Sequence, residues 1–220
     1  MPELDFRVES AEPLEYAAVP TLLFKLRITN SAAEPIRSLT LNTQIRIAAN
    51  QRNYSAAEQE RLGELFGTKD RWAETLRSLL WTHSVLPAPG FSDCVVVDMP
   101  VTCTYDFDVT SAKYFAMLDD GEIPLEFLFS GTMFYAGPHG LQVAQIPWDK
   151  EARFRLPVSA WQGMMEHYFP NSAWLRLRRD AFDRLYSYRV RHGLPTWEAA
   201  VERLLQADAD AVAGTQEEVG

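Results

Sequence analysis

Apolar and polar residues alternate in several runs along the first two thirds of the chain, which is the pattern of strands with one buried face. The alternation is most regular in residues 21–29, 38–48 and 101–109. Strands of a parallel sheet are apolar on both faces, so this alternation favours antiparallel pairing. Residues 123–136 are apolar on both faces, which predicts a central strand. The apolar set of the first run is Leu22, Phe24, Leu26 and Ile28.

Helical periodicity interrupts the strands and dominates after Pro157. Ser55, followed three residues later by Glu58, is a capping-box pattern that predicts the start of a helix. Gly193 is a typical helix stop, and Thr196 can cap the helix that follows. The predicted helices cover residues 56–66, 70–80, 111–118, 158–168, 178–192 and 196–206.

These elements predict a mainly β protein of the α+β class, built on an antiparallel β-sandwich of roughly seven to nine strands. The sandwich would occupy residues 1–156, with a helical insertion at 55–80. A C-terminal helical segment over 157–206 would pack on it. The small and acidic residues of 207–220 predict a disordered tail.

Composition and charge narrow the possible partners. The 220 residues are 47% hydrophobic and carry a net charge of -9, which disfavours nucleic acid and anionic membrane surfaces. The sequence has no continuous apolar run of about 18 residues or more, so we expect no membrane insertion. Two cysteines in the whole chain fit a reducing compartment, and the expected location is cytoplasmic.

Asp106 and Asp108 stand in a D-x-D-x-T pattern, in which some magnesium-dependent phosphatases place a nucleophile and an acid/base. Residues two apart on a strand project to one side, where a hard cation prefers oxygen ligands. In those enzymes the strand is buried in a parallel sheet, whereas the residues before Asp106 alternate. The favoured interpretation is therefore that both aspartates lie on the solvent-exposed face of a strand. The alternative is that they are the catalytic pair of a magnesium-dependent, phosphatase-like hydrolase.

Cys94, Cys103 and His83 are the soft residues that a metal ion would need. A hairpin turning at residues 98–99 would bring the two sulfurs opposite one another. Structural zinc sites usually carry paired C-x2-C motifs or four ligands, and the sequence has neither. We therefore expect reduced core cysteines, no metal and no cofactor.

Residues 161–197 combine many aromatic side chains with arginines. This composition is typical of protein-binding surfaces, although for most of these residues the favoured alternative is that the rings pack the helices onto the sandwich and the arginines face solvent. A turn over residues 168–174 would place rings at the surface beside a basic rim. The candidate partner-binding residues are Tyr168, Phe169, Trp174, Arg176, Arg178 and Arg179. Trp174 in the core would contradict this hypothesis.

The strings YFPNSAWLRL (168–177), FDRL (182–185) and GLPTWE (193–198) resemble a family of actinobacterial proteins of unknown function. That family is encoded beside high-affinity uptake NiFe-hydrogenases, and the likeness extends over most of the chain. It implies a hydrogenase accessory or maturation role and assigns no catalytic residue.

The combined interpretation is a non-enzymatic accessory or assembly protein whose partner is a hydrogenase subunit or assembly intermediate. The alternatives are the magnesium-dependent phosphatase and a sandwich that binds a small molecule in its interior. The sequence does not set the oligomeric state.

Overall fold

The computed structural model describes residues 2–106, 109–138, 140–172 and 174–217, and only the backbone of residues 211–217. The chain forms two compact units, Met1–Trp174 and Leu175–Gly220. We call them the sheet unit and the helical unit. The sequence predicted the boundary after residue 156, whereas the two units divide after Trp174. The helix over Val158–Tyr168, which follows the predicted boundary, belongs to the sheet unit.

Two antiparallel sheets form the sheet unit, so the predicted mainly β, α+β class is confirmed. The first has the order β1-β2-β5, with β1 at Leu4–Pro13, β2 at Thr21–Asn30 and β5 at Cys94–Thr102. In the second, β4 pairs with β3 and β3 with β6, and β6 pairs with both β7 and β8. Its strands are β3 Ile36–Ile47, β4 Leu79–Ala88, β6 Glu122–Gly137, β7 Gly140–Gln145 and β8 Glu151–Pro157.

The core lies between the two sheets. The predicted apolar face of β2 is fully buried, and Phe24 of this face meets Phe127 edge to face at 5.4 Å. Phe6 of β1 stacks on Phe129 of β6 with ring centroids 4.3 Å apart. Each such aromatic pair adds about 0.5–1.5 kcal/mol to the burial of the rings. Buried side chains from both sheets meet in this space and form one hydrophobic cluster.

In the part of the chain that the structure describes, four α-helices belong to the sheet unit and two to the helical unit. Those of the sheet unit are α1 Ala56–Phe66, α2 Trp72–Thr75, α3 Thr110–Ala116 and α4 Val158–Tyr168. Those of the helical unit are α5 Arg179–Arg191 and α6 Trp197–Glu217. Helix α4 joins the sheet unit because one of its faces is buried there, through Val158, Trp161, Met164 and Met165.

A buried ion pair ties the inserted helix α1 to the loop before β6. The amide of Glu58 binds the Ser55 hydroxyl in the predicted capping box, while a Glu58 carboxylate oxygen lies 2.6 Å from Nη2 of Arg52. The same carboxylate oxygen accepts a hydrogen bond from the amide of Asp119 at 3.0 Å. Arg52 also donates to the carbonyl of Asp120 at 2.7 Å. Both charged side chains are over nine-tenths buried, at 7% and 3% exposure.

Gly131 divides β6 into two halves with different partners. Residues 122–128 pair with β8, and residues 132–137 pair with β7. At Gly131 φ is +140°, a conformation that side-chain-bearing residues rarely adopt. A Cβ atom at this position would overlap the carbonyl oxygen of Thr40 on β3. Glycine is therefore required where β6 changes partner.

The predicted helix over residues 70–80 is wrong beyond its first turn. Helix α2 ends at Thr75, and β4 begins at Leu79, which pairs with Ile47 of β3. Trp81 packs edge to face on Phe24 and Phe115 in the core. Strand pairing and burial thus override the local helical spacing of the leucines in this segment.

The predicted strand over residues 101–109 ends early, at Thr102. Its partner β2 begins at Thr21, directly opposite Thr102, so no residue of β2 remains for pairing farther along. Helix α6 continues to Glu217, beyond the predicted end at residue 206. The alanine-rich sequence after residue 206 favours helix, and this propensity outweighs the small and acidic composition that predicts a disordered tail. Residues 218–220 of the predicted tail lie outside the described residues.

Candidate functional site

The six predicted partner-binding residues fall on both sides of the division between the units. Tyr168, Phe169 and Trp174 belong to the sheet unit, and the arginines belong to the helical unit. Tyr168 and Phe169 are partly buried, whereas Trp174 is 57% exposed. The three arginines, Arg176, Arg178 and Arg179, are all exposed.

The aromatic residues at the end of α4 and directly after it form a cluster that is anchored on one side and exposed on the other. The ring of Phe169 stacks on Tyr105 at 5.6 Å, and the Trp174 ring lies 5.0 Å from Phe169. The Tyr168 hydroxyl donates to the carbonyl of Ala17 at 2.9 Å. The buried face of α4 holds this arrangement, and Phe169 donates its amide to the Met165 carbonyl at 2.8 Å. Trp174 is therefore exposed on one side while its ring packs on the anchored Phe169.

Truncation of Trp174 tests whether the cluster is surface or core. We expect Trp174→Ala to lower the free energy of unfolding by about 0.5–1.5 kcal/mol, the worth of one aromatic pair. The matched control is Trp161→Ala, whose ring is 2% exposed. That change should cost about 3–5 kcal/mol. Chemical denaturation of both variants gives the comparison, and equal losses would place Trp174 in the core.

In the helical unit, the rings of α5 meet the start of α6. Phe182 and Tyr186 lie 5.3 Å and 6.2 Å from the ring of Trp197. The Arg189 guanidinium carbon sits 4.1 Å from the centre of the same ring, in a cation–π contact. Gly193, with φ +62°, supplies the left-handed residue that ends α5. These contacts define a helical hairpin.

This hairpin leaves much of its apolar surface open. All of α5 is described, and none of its residues is buried. Phe182, Tyr186 and Val190 nevertheless recur every four residues, which is the spacing of one helical face. Val190 is 59% exposed. In α6 the exposed apolar residues are Val201, Leu204 and Leu205.

Charge is distributed unevenly along the helical unit. Residues 175–192 contain six arginines and two aspartates, a local charge of +4 on a chain of net charge -9. Arg178 is paired with Asp180 at 3.4 Å, with both side chains largely in solvent, so this pair contributes little to stability. The region around α5 therefore offers apolar and positively charged groups together.

The strand on which the phosphatase interpretation depends does not extend to Asp106. This residue lies in a loop after the end of β5, where it bridges to Trp174, and its amide hydrogen-bonds to the Thr104 hydroxyl at 3.1 Å. Asp108 lies outside the described residues. Because β5 ends at Thr102, the strand that should have projected both carboxylates to one side does not reach them.

The structure separates the three residues considered for a metal. Cys94 begins β5 and Cys103 follows its end, so the hairpin that should have joined them is instead one strand, roughly 26 Å long. His83 is exposed on β4, in the other sheet. Pairing of β5 with β2 along its whole length explains the straight strand. Within the described residues, no group of three or more His, Cys, Asp or Glu could hold a metal ion.

The two cysteines should react at very different rates. Cys94 is exposed, whereas Cys103 is buried, and burial raises the pKa of its thiol to about 12. The reactive species is the thiolate, so Cys103 should be inert near pH 8. We expect Ellman's reagent to detect one fast thiol in the native protein and two after denaturation. Cys94→Ser should abolish the fast reaction, and rapid modification of Cys103 in that variant would contradict the burial.

The sequence profile of DUF6084, described as a family of unknown function, matches residues 1–213. The chain belongs to this family. No curated protein sequence matches it. Within the described part of this DUF6084 chain, no helix has the length and apolar character needed to cross a membrane.

Solved structures with similar folds are distant. The CARDB domain of the PF1109 protein from Pyrococcus furiosus, a complex with di-metal ions, has 10% identity and a TM-score of 0.29, covering 71% of this chain and 92% of that one. AT1g01470 from Arabidopsis thaliana has 14% identity and a TM-score of 0.35, covering 70% and 77%. The putative ApaA protein from Bordetella pertussis has 13% identity and a TM-score of 0.24, covering 70% and 93%. The likeness concerns the β-rich fold and carries no argument about function.

Some features of these sites were missed in the sequence. The exposed stripe of α5 was visible as Phe182, Tyr186 and Val190 at four-residue spacing, but we grouped it with the neighbouring aromatic residues. The ion pair between Arg52 and Glu58 was not predicted. The capping box already accounts for a glutamate at position 58, so the sequence offered no reason to look for a buried cationic partner.

Proposed function

We propose that the protein is a non-enzymatic accessory protein that binds another protein through its helical unit. The observation that carries the proposal is α5, a helix with Phe182, Tyr186 and Val190 on one face and no buried residue. A two-helix hairpin can bury only part of its apolar surface, and amphipathic helices are commonly completed by another element. Exposed rings beside arginines are also the usual composition of interface anchors.

The charge of the helical unit supports an acidic partner surface. A local charge of +4 on a chain of net charge -9 would orient an acidic partner toward α5. Such complementarity chiefly raises the association rate and falls with added salt. The family resemblance supports a hydrogenase subunit or assembly intermediate as that partner.

Affinity recovery from the native host tests the proposal. We expect the tagged chain to recover a hydrogenase component, and the double variant Arg178→Glu/Arg179→Glu to reduce that recovery by at least fivefold. The matched control is Arg153→Glu/Arg155→Glu, an equal change of charge at exposed positions of the sheet unit. Recovery should be unaffected in the control and should fall with salt for the wild type.

Two results would overturn the proposal. One is recovery of the chain alone, together with unchanged hydrogenase activity after deletion of the gene. The other is an equal loss of recovery in the two charge-reversal variants, which would show a general effect of net charge instead of a site at α5.

A further inference from the structure

A tryptophan with almost no packing stands on the turn between β7 and β8. Trp148 is 92% exposed, although burial of so large a ring is normally worth several kcal/mol. The turn that carries it is fixed at both ends on β6. Ile146 donates its amide to the Gly131 carbonyl, and Phe129 donates to the Lys150 carbonyl, both at 2.9 Å. The ring is therefore exposed on a well-anchored turn.

Trp148 borders a shallow cleft of about 460 Å³ on the five-stranded sheet. Two rows of residues cross this sheet face, as the strand register shows. Val85 of β4, Asn42 of β3 and Ser130 of β6 form one row, and His83, Gln44 and Leu128 form the next. All six line the cleft together with Trp148. Three strands span about 10 Å, which gives a nearly flat platform beside an aromatic ring.

The polar groups of this platform are free to bind a ligand. The side chains of Asn42 and Gln44 have no hydrogen bond to any described residue, and each amide offers both donors and an acceptor. Ser130 makes only a long hydrogen bond, at 3.4 Å, to the Asn42 carbonyl. Among the described residues that line the cleft there is no Lys, Arg, Asp or Glu. His83 is the one ionisable residue among the described residues of the lining.

This chemistry selects the class of ligand. An anionic ligand would need cationic partners and a cationic ligand would need carboxylates, and the lining offers neither. A neutral ligand that has both an apolar face and several hydroxyl groups suits the ring and the amides. Sugars have this character, because the C–H groups of a pyranose form a flat apolar face while its hydroxyls both donate and accept.

We propose that the cleft beside Trp148 binds a neutral oligosaccharide. About two or three sugar units would cover the platform, with one unit stacked on the indole ring and the next hydrogen-bonded to Asn42, Gln44 and Ser130. The site lies in the sheet unit and does not depend on the proposed role of α5. Failure of one proposal therefore leaves the other untouched.

Calorimetric titration of the full chain tests the proposal. The probes are maltohexaose, cellohexaose, xylohexaose, mannohexaose and chitohexaose, each at up to about 10 mM so that dissociation constants near 1 mM are measurable. We expect at least one to bind, and hexagalacturonate, which is anionic, not to bind. The indole N–H resonance of Trp148, assigned by its loss in Trp148→Ala, should shift on titration.

Variants then locate the bound sugar. Trp148→Ala should weaken binding at least tenfold, and Asn42→Ala and Gln44→Ala should each weaken it about threefold to tenfold, as expected for lost hydrogen bonds. Tyr16→Ala removes another exposed ring of the sheet unit and should leave the affinity unchanged. Because Trp148 is almost unpacked, its truncation should not alter the melting temperature.

Three results would overturn the proposal: no binding of any neutral probe, binding that survives Trp148→Ala, or tighter binding of hexagalacturonate than of every neutral probe. Loss of protein-partner recovery in Trp148→Ala without sugar binding would instead assign this face to a protein contact.

Discussion

Replacing Gly131 by alanine is expected to destabilise the protein by roughly 2–6 kcal/mol. A side chain at φ +140° costs about 1–3 kcal/mol in backbone strain. The new Cβ would also overlap the Thr40 carbonyl oxygen, and overpacking of this kind costs about another 1–3 kcal/mol. The oxygen belongs to the backbone of β3 and cannot turn away as a side chain would. Urea denaturation followed by circular dichroism would measure the loss.

Gly63→Ala is the matched control for this prediction. Gly63 lies within α1, and a Cβ there would meet nothing within 4 Å. Alanine is favoured over glycine in a helix by about 1 kcal/mol, so this variant should be slightly more stable than the wild type. If the two alanine variants had similar stability, β6 would not need glycine where it changes partner.

The second large effect is expected at the buried ion pair. Glu58→Ala should cost about 3–5 kcal/mol, because Arg52 would remain buried without its carboxylate. The change also removes the acceptor for the Asp119 amide and half of the capping box at Ser55. Thermal and chemical denaturation of the purified variant would measure the loss.

Glu64→Ala provides the comparison within the same helix. Glu64 pairs with Lys113, but its side chain is 61% exposed, and exposed pairs are worth about 0–1 kcal/mol. Replacing both Arg52 and Glu58 with apolar residues of similar size should recover much of the stability, since no buried charge is then left alone. A similar loss in Glu58→Ala and Glu64→Ala would mean that burial of the ion pair has no energetic consequence.

The parts of the fold that the sequence predicted are those where local pattern and tertiary environment agree. The alternating face of β2 is buried as a whole, and Ser55 begins α1 with its capping box. Both signals depend on residues within a few positions of one another. The strand order could not be read in this way, because it depends on pairings such as Thr21 with Thr102.

The errors arose where a distant partner decides the local structure. Leu79 and Leu80 continue the helical spacing of Trp72 and Leu76, yet they belong to β4 because they pair with β3. Cys94 and Cys103 were expected on a hairpin, yet β2 keeps the chain between them extended. Trp148 was not singled out because a tryptophan in a turn has no periodic pattern, and its exposure is visible only in three dimensions.

The pairing of β6 with three other strands sets the order in which the chain can fold. Its pairs with β3 join residues as far apart as Ile36 and Tyr135, and those with β8 need the chain up to Pro157. Contacts so distant in sequence slow folding, because the intervening loop must close before any of them forms. During synthesis, β1 and β2 can form a hairpin early, but the other edge of β2 waits for β5. While that edge is unpaired and the apolar face of β2 is uncovered, the nascent chain is prone to aggregate and would benefit from a chaperone.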